Sequence, residues 1–165
     1  DEQPLDVAVA VALELLHLDV ARADGGQLLA QRRRRLARGV ERLLPQLAGR
    51  VQAKAIRVPT PNVSAIDLTL TTRHPVSVAS VNALLAAAAR GPLARLIAYS
   101  EEAHASIDFN HDPHSAIVDG SQTRTAGTHL VNLFVWFDNE WGFANRMLEV
   151  AEHWSRLWHN RKQYN

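Results

Sequence analysis

The feature that most constrains this chain is a change of apolar rhythm near residue 50. Between Leu5 and Arg50, Leu, Ala and Arg dominate, and apolar residues recur at helical spacing, as at Leu13, Leu16 and Val20. From Lys54 onward the rhythm shortens, and VSAIDLTLTT (63–72) alternates apolar and polar residues with the two-residue period of a half-buried strand. Strands following one another with few helices between them predict an α+β fold: a mixed, largely antiparallel sheet covered by helices on one face, closed by a long C-terminal helix. A doubly wound nucleotide fold would need regular βαβ alternation and a glycine fingerprint, and neither is in the sequence.

The pattern predicts two helices in the first part, with Gly25-Gly26 ending the first. The second carries QRRRR (31–35), then Leu36, Val40, Leu43, Leu44 and Leu47 on one side, and ends before Gly49. The arginine run reads as a solvated helix face, with an anion site as the alternative. AIRV (55–58) and VSAIDLTLTT read as a hairpin-like or neighbouring pair of strands joined by PTPN (59–62). Ser77 is placed to cap a helix through Val81, Leu84, Leu85 and Ala88, which Gly91-Pro92 stops. Further strands fit LARLIAYS (93–100), HASIDF (104–109), SAIVD (115–119) and THLVNLFVWFD (128–138). An amphipathic helix from Glu140 to Trp158 follows, with Phe143, Met147, Val150, Trp154 and Trp158 near one face.

At 165 residues the chain fits one domain that needs no staple. It has no cysteine, which excludes disulfides, thiolate metal ligands and a thiol nucleophile from its own residues. With 18 Lys and Arg against 17 Asp and Glu, global charge favours neither nucleic acid nor an anionic membrane as partner. The longest apolar run, around Val7 to Leu16, is interrupted by Glu14, is too short to span a bilayer and lacks a basic leader. The expectation is a soluble, cytoplasmic chain. Starting at Asp1 without Met, it reads as a fragment.

Few residues carry candidate chemistry. In FNHDPHSAIVDGSQTR (109–124), His111 and His114 have a spacing that could share a metal with Asp108 or Asp112. Pro113 argues against a helix there, and the favoured reading is a turn in which Asn110, Asp112 and His114 bond local backbone, with no metal. Arg57, in AIRVPT, either pairs with a carboxylate such as Asp67 or binds an anionic substrate. Asn139, in FDNEWG, either caps the last helix, the default reading, or points at a ligand. No Ser-His-Asp arrangement or phosphate-binding loop is defensible from spacing alone.

Three stretches reach further: ARGVERLLPQLAGRVQAKAIRVPTPNVSAIDLTL (37–70), FNHDPHSAIVDGSQTR and VWFDNEWGFANRML (135–148). Together they resemble the C-terminal half of the glyceraldehyde-3-phosphate dehydrogenase family. Within that family FNHDPHSAIVDGSQTR is most similar to the erythrose-4-phosphate dehydrogenase branch, which serves pyridoxine biosynthesis. The resemblance runs from about Leu36 to Ala151. It implies an NAD-dependent enzyme that oxidises a phosphorylated sugar aldehyde through a thiohemiacetal on cysteine, with a histidine as base, and that assembles as a homo-oligomer, a tetramer in the family. By position, Arg57 matches the arginine that holds a substrate phosphate. Asn139 matches the asparagine that bonds the nicotinamide carboxamide, and Phe143 falls near the aromatic neighbour of that ring.

The departures matter as much. The nucleotide-binding domain and the catalytic cysteine motif have no counterpart in these residues. DEQPLD at the start is similar to the segment after the family's catalytic histidine, and His17 does not sit in that motif. Residues 7–35 do not resemble the family, Arg34-Arg35 stand where it has a phosphate-binding Thr-Gly, and WSRLWHNRKQYN extends past its usual end. The expected organisation is a divergent helical segment over 1–35 and a partial catalytic domain over 36–165. Alone, this chain is expected to bind no NAD and to be inactive. A glyceraldehyde-3-phosphate dehydrogenase fragment, a non-enzymatic remnant serving oligomer assembly and a phosphate-binding module on Arg57 are the alternatives.

Overall fold

A computed structural model describes residues 38–162. The expected first helix, the arginine run and His17 lie outside the described residues. The elements, in order, are a helix (α1) described over residues 38–43, a 3-10 turn at Pro45–Leu47, β1 (Ser64–Thr71), α2 (Val78–Arg90) and β2 (Ile97–Ser100). A further 3-10 turn (Ser106–Phe109), β3 (Ala116–Ala126), β4 (Leu130–Phe137) and α3 (Asn139–Lys162) complete the fold. The four strands lie in the order β1-β4-β3-β2. The β1/β4 and β4/β3 pairs are antiparallel and β3/β2 is parallel, so the sheet is mixed and largely antiparallel, as the alternation implied.

Strand β4 shows why the pattern works. Val131, Leu133, Val135 and Phe137 are buried while the residues between them are half-buried, so every second side chain enters the core. Opposite them on β1 stand Leu70, Leu68 and Ile66, paired with Val131, Leu133 and Val135. Helix α2 lays Val81 and Leu85 on this face against Val118, Leu133 and Val135. Its N-terminus is fixed as the sequence predicted: Ser77 and Ser80 form a reciprocal capping box, with Ser80 N donating to Ser77 Oγ at 3.1 Å and Ser77 N to Ser80 Oγ at 2.9 Å.

Strand β3 needs a glycine at one position. A Cβ on Gly120 would lie 2.2 Å from Tyr99 Oη, so this site must stay bare for the tyrosine to cross it. Burial, then the hydrogen bond to Glu101, pushes the Tyr99 hydroxyl up to about 12.

Several expectations are corrected. The helix before residue 50 is broken: helical turns end at 43, because Pro45 disfavours helical backbone at Leu44, which sits at φ −122° and ψ 75°. Leu43, expected on the apolar side, is exposed, whereas Val40 and Leu44 form a small cluster with Leu47 and Val51. AIRV is not a strand. Residues 51–59 have no regular structure, Ile56 and Val58 are exposed, and β1 pairs with distant β4 instead. Pro59 and Pro61, without N–H donors, cannot feed a tight hairpin ladder there.

LARLIAYS shrinks to Ile97–Ser100, because Gly91-Pro92 starts a run of turns in which Ala94 N bonds Gly91 O and Leu96 N bonds Leu93 O. HASIDF is a 3-10 turn rather than a strand: Asp108 Oδ2 accepts Ala105 N at 2.8 Å while Asp108 N bonds Ala105 O, a local closure that overrides alternation. SAIVD extends to an 11-residue strand with a register shift between Asp119 and Arg124. The last helix is longer than expected, and its supposed core face is exposed: Phe143, Met147, Val150, Trp154 and Trp158 all face outward.

Candidate functional site

The three stretches singled out in the sequence meet at one carboxylate. Asp138, between β4 and α3, is 1% exposed. Its Oδ2 accepts from Asn62 Nδ2 and from His111 N, both at 2.8 Å, and its Oδ1 accepts from Trp141 N at 3.1 Å. One side chain thus joins the PTPN connection, the FNHDPH turn and the first turn of α3. A carboxylate that caps a helix N-terminus also interacts favourably with the helix dipole. Asn62 Nδ2 further donates to Asn110 Oδ1.

The backbone around this hub is strained at two positions. Val63, next to Asn62, has φ +67° and His111 has φ +63°. For a β-branched residue that conformation is costly, and it is held because the Val63 side chain is buried with Phe109 and Ile117 against Trp136. Phe109 stacks on Trp136 with ring centroids 5.7 Å apart, and the His111 ring tilts against Trp141 at 4.7 Å. Both turns therefore converge on the start of α3.

Of the residues expected to act, Asn139 lies at the hub, 8% exposed, and its side chain makes no hydrogen bond among the described residues. Capping, its default reading, belongs instead to Asp138, one residue earlier. Phe143 sits one turn further along α3 and is exposed. Arg57 is also exposed and makes no ion pair among the described residues; the considered pairing with Asp67 does not form, since Asp67 accepts from Asn132 on β4. The structure brings Asn139 and the PTPN turn together and leaves Arg57 on the irregular segment leading to it.

The two histidines diverge. His114 Nδ1 lies 2.6 Å from Asp112 Oδ1, which also accepts His114 N at 2.8 Å, while His111 turns to Trp141. Among the described residues no group of three His, Cys, Asp or Glu side chains is placed to hold a metal.

Sequence reasoning missed two things here. Asp138 went unweighed because Asn139 beside it drew the capping argument; an Asp three residues before an exposed helix-start N–H was the available signal. Ser100, His104 and Asp108 also come together, with Ser100 Oγ 2.8 Å from His104 Nε2 and His104 Nδ1 3.8 Å from Asp108 Oδ2. The four-residue spacing was visible, but reading 104–109 as a strand hid it. The cluster closes a turn rather than forming a relay: the longer distance exceeds hydrogen-bond length, Asp108 Oδ2 is taken by Ala105 N, and Ser100 Oγ accepts Glu102 N.

On the sheet face opposite α2, beside Trp136, Asp119, 5% exposed, accepts from Ser121 Oγ at 2.6 Å and Trp136 Nε1 at 3.4 Å, which leaves its carboxylate satisfied. The chemistry open to the hub region is recognition: an amide without a partner among the described residues at Asn139, an exposed aromatic ring at Phe143 and a guanidinium at Arg57.

Among known families, the one described as glyceraldehyde 3-phosphate dehydrogenase, C-terminal domain, matches residues 14–139. That span covers β1 to β4, the PTPN and FNHDPH turns, and both Asp138 and Asn139. With its α+β sheet and terminal helix, the chain belongs to the glyceraldehyde-3-phosphate dehydrogenase family through the C-terminal domain.

Proposed function

We propose that this chain is the catalytic-domain portion of an NAD-dependent dehydrogenase of phosphorylated sugar aldehydes, whose complete enzyme oxidises D-erythrose 4-phosphate to 4-phosphoerythronate. The Asp138 hub carries the reading. It ties together the three stretches that resemble the family, one of which, FNHDPHSAIVDGSQTR, is most similar to the erythrose branch, and it holds Asn139 at the strand-to-helix junction with its amide uncommitted among the described residues. In this reading Asn139 bonds the nicotinamide carboxamide, Phe143 lies beside the nicotinamide ring, and Arg57 holds a substrate phosphate. The lack of an ion-pair partner for Arg57 among the described residues favours that last role over a structural ion pair.

The aldehyde chemistry needs a thiolate, and the 165 residues contain no cysteine. The chain by itself therefore does not form the thiohemiacetal from which hydride would be transferred. In this reading residues 36–165 make up the partial catalytic domain, and the family match from residue 14 favours extending it into the 1–35 segment. The assembly is a homo-oligomer in the cytoplasm; no helix among the described residues is long and apolar enough to cross a membrane. An alternative reading, a non-enzymatic part that serves oligomer assembly, is favoured by the half-exposed Phe134 and Trp136 on the sheet face opposite α2.

Incubating the purified chain with NAD and either D-erythrose 4-phosphate or glyceraldehyde 3-phosphate is expected to give no NADH above background, and NADH production would refute the inactivity. Titration calorimetry with D-erythrose 4-phosphate tests the substrate site. Heat released by the native chain and lost in Arg57→Ala supports it; equal affinity in both removes Arg57 from the reading.

A further inference from the structure

One motif of the sequence has no role in the site. Arg32, Arg33, Arg34 and Arg35 stand together, and no Asp or Glu occurs between Asp24 and Glu41 to neutralise them. Adjacent like charges repel one another and gain from a seat that supplies carboxylates.

The sheet face opposite α2 supplies two. Asp67 on β1 and Asp119 on β3 both stand directly beside Phe134 of β4, so the three side chains form one row across the strands. Each carboxylate meets neutral donors: Asp67 accepts from Asn132 Nδ2, and Asp119 from Ser121 Oγ and Trp136 Nε1. Those bonds settle the oxygens but not the charges, and neither Asp pairs with a cation among the described residues. Arg124, further along the same face, turns its guanidinium to Ser121 O at 2.8 Å and Thr123 O at 2.9 Å. The rings of Phe134 and Trp136 meet at 83° with centroids 4.9 Å apart, and both are half-buried, so the acids flank an open aromatic corner.

We propose that this face seats the chain's own arginine run, residues 32–35. A guanidinium suits it better than an ammonium, because it is planar and weakly hydrated, and it stacks on an aromatic ring while its N–H fork bonds a carboxylate. Asp67 and Asp119 are two strand spacings apart, about 10 Å. Arginines two or three apart in the run lie roughly 5–7 Å from one another in extended or helical backbone, and their long side chains cover the rest.

The connection allows the seating. The run is followed by α1, whose cluster of Val40, Leu44, Leu47 and Val51 is separate from the main core. Residues 52–61, without helix or strand, join that cluster to the hub, a tether of up to about 35 Å. The opposite side of the sheet is covered by α2, whose sequence VASVNALLAAAAR carries no acid, so charge selects the face. Seated there, the run closes with the chain's own residues the surface that the assembly reading gives to a neighbouring subunit. None of Arg57, Asn139 or Phe143 takes part, so the seating is independent of the dehydrogenase reading.

Disulfide trapping in the full chain tests the contact, because the sequence has no cysteine of its own. Thr69 is exposed on β1, one position along the same face from Asp67, and Ala87 is exposed on α2. Oxidised glutathione serves as oxidant and is reduced to glutathione as each pair of thiols closes. Arg34→Cys with Thr69→Cys is expected to form an internal disulfide at least about 10-fold faster than Arg34→Cys with Ala87→Cys. Adding Asp67→Lys to the first pair, at an exposed site, is expected to slow closure about five-fold with an unchanged circular dichroism spectrum. Equal rates for the two pairs overturn the proposal, as does closure that Asp67→Lys leaves unchanged. A disulfide that joins two chains instead of closing one also overturns it, since the run would then sit on a neighbour.

Discussion

Helices α2 and α3 were equally plain in the sequence and play opposite parts in the fold. Helix α2 is short, begins in a capping box, ends at Gly91 and drives Val81 and Leu85 into the sheet. Helix α3 is nearly twice as long, touches the body through Arg146 and Glu149, and keeps its apolar stripe outside. Periodicity says which residues share a helix face; it does not say what that face meets. In α2 the answer is fixed by short connections at both ends, and among the described residues α3 is joined to the sheet at its N-terminal end.

Substitutions can break this contrast, starting with the largest effect. Leu85→Ala, in the core under α2, is expected to cost about 2–5 kcal/mol in urea unfolding. Arg146→Ala removes the bonds to Arg95 O and Ser115 Oγ that hold α3 to the domain, and a loss of roughly 1–3 kcal/mol is expected. Ser77→Ala opens the capping box of α2 at about 1 kcal/mol, measured the same way.

A milder probe is alkaline pH. Tyr99 packs against the core under α2, and its hydroxyl is raised from 10.0 to about 12, so the folded state holds that proton more tightly. The resulting stabilisation is complete below pH 10 and is lost as pH rises through 10 towards 12. Urea midpoints across that range are expected to fall more steeply for the native chain than for Tyr99→Phe. The smallest effect belongs to Met147→Ala at low protein concentration, within about 0.5 kcal/mol, because that side chain is 58% exposed. A loss near that of Leu85→Ala would mean the two helices are not opposites after all.

How far the sequence carried this reading varied with the kind of signal. Where local chemistry and period agreed, as in β1, α2 and β4, the elements fell close to where the pattern put them. Where short apolar runs stood beside proline or a side chain that closes a turn, as at AIRV and HASIDF, the pattern misled. The site was legible only in parts: Arg57 and Asn139 stood out locally with two readings each, resemblance added Phe143 and tipped both towards ligands, and the residue that organises the neighbourhood of Asn139 was not found. Asp138 is informative through bonds to residues 76 and 27 positions away, and no local window contains those.

Those separations bear on the order of folding. Asn62 and Asp138 sit at the open ends of β1 and β4, whose pairing starts with Ser64 against Phe137 and runs to Thr71 against Leu130. Loop-closure entropy has to be met before such distant contacts give anything back, so helix α2 can form early while the Asp138 bonds wait for the strands to align. A hub completed last is also the first to open in a partial unfolding, which makes slow exchange of the His111 amide a sensitive report that the whole sheet has closed.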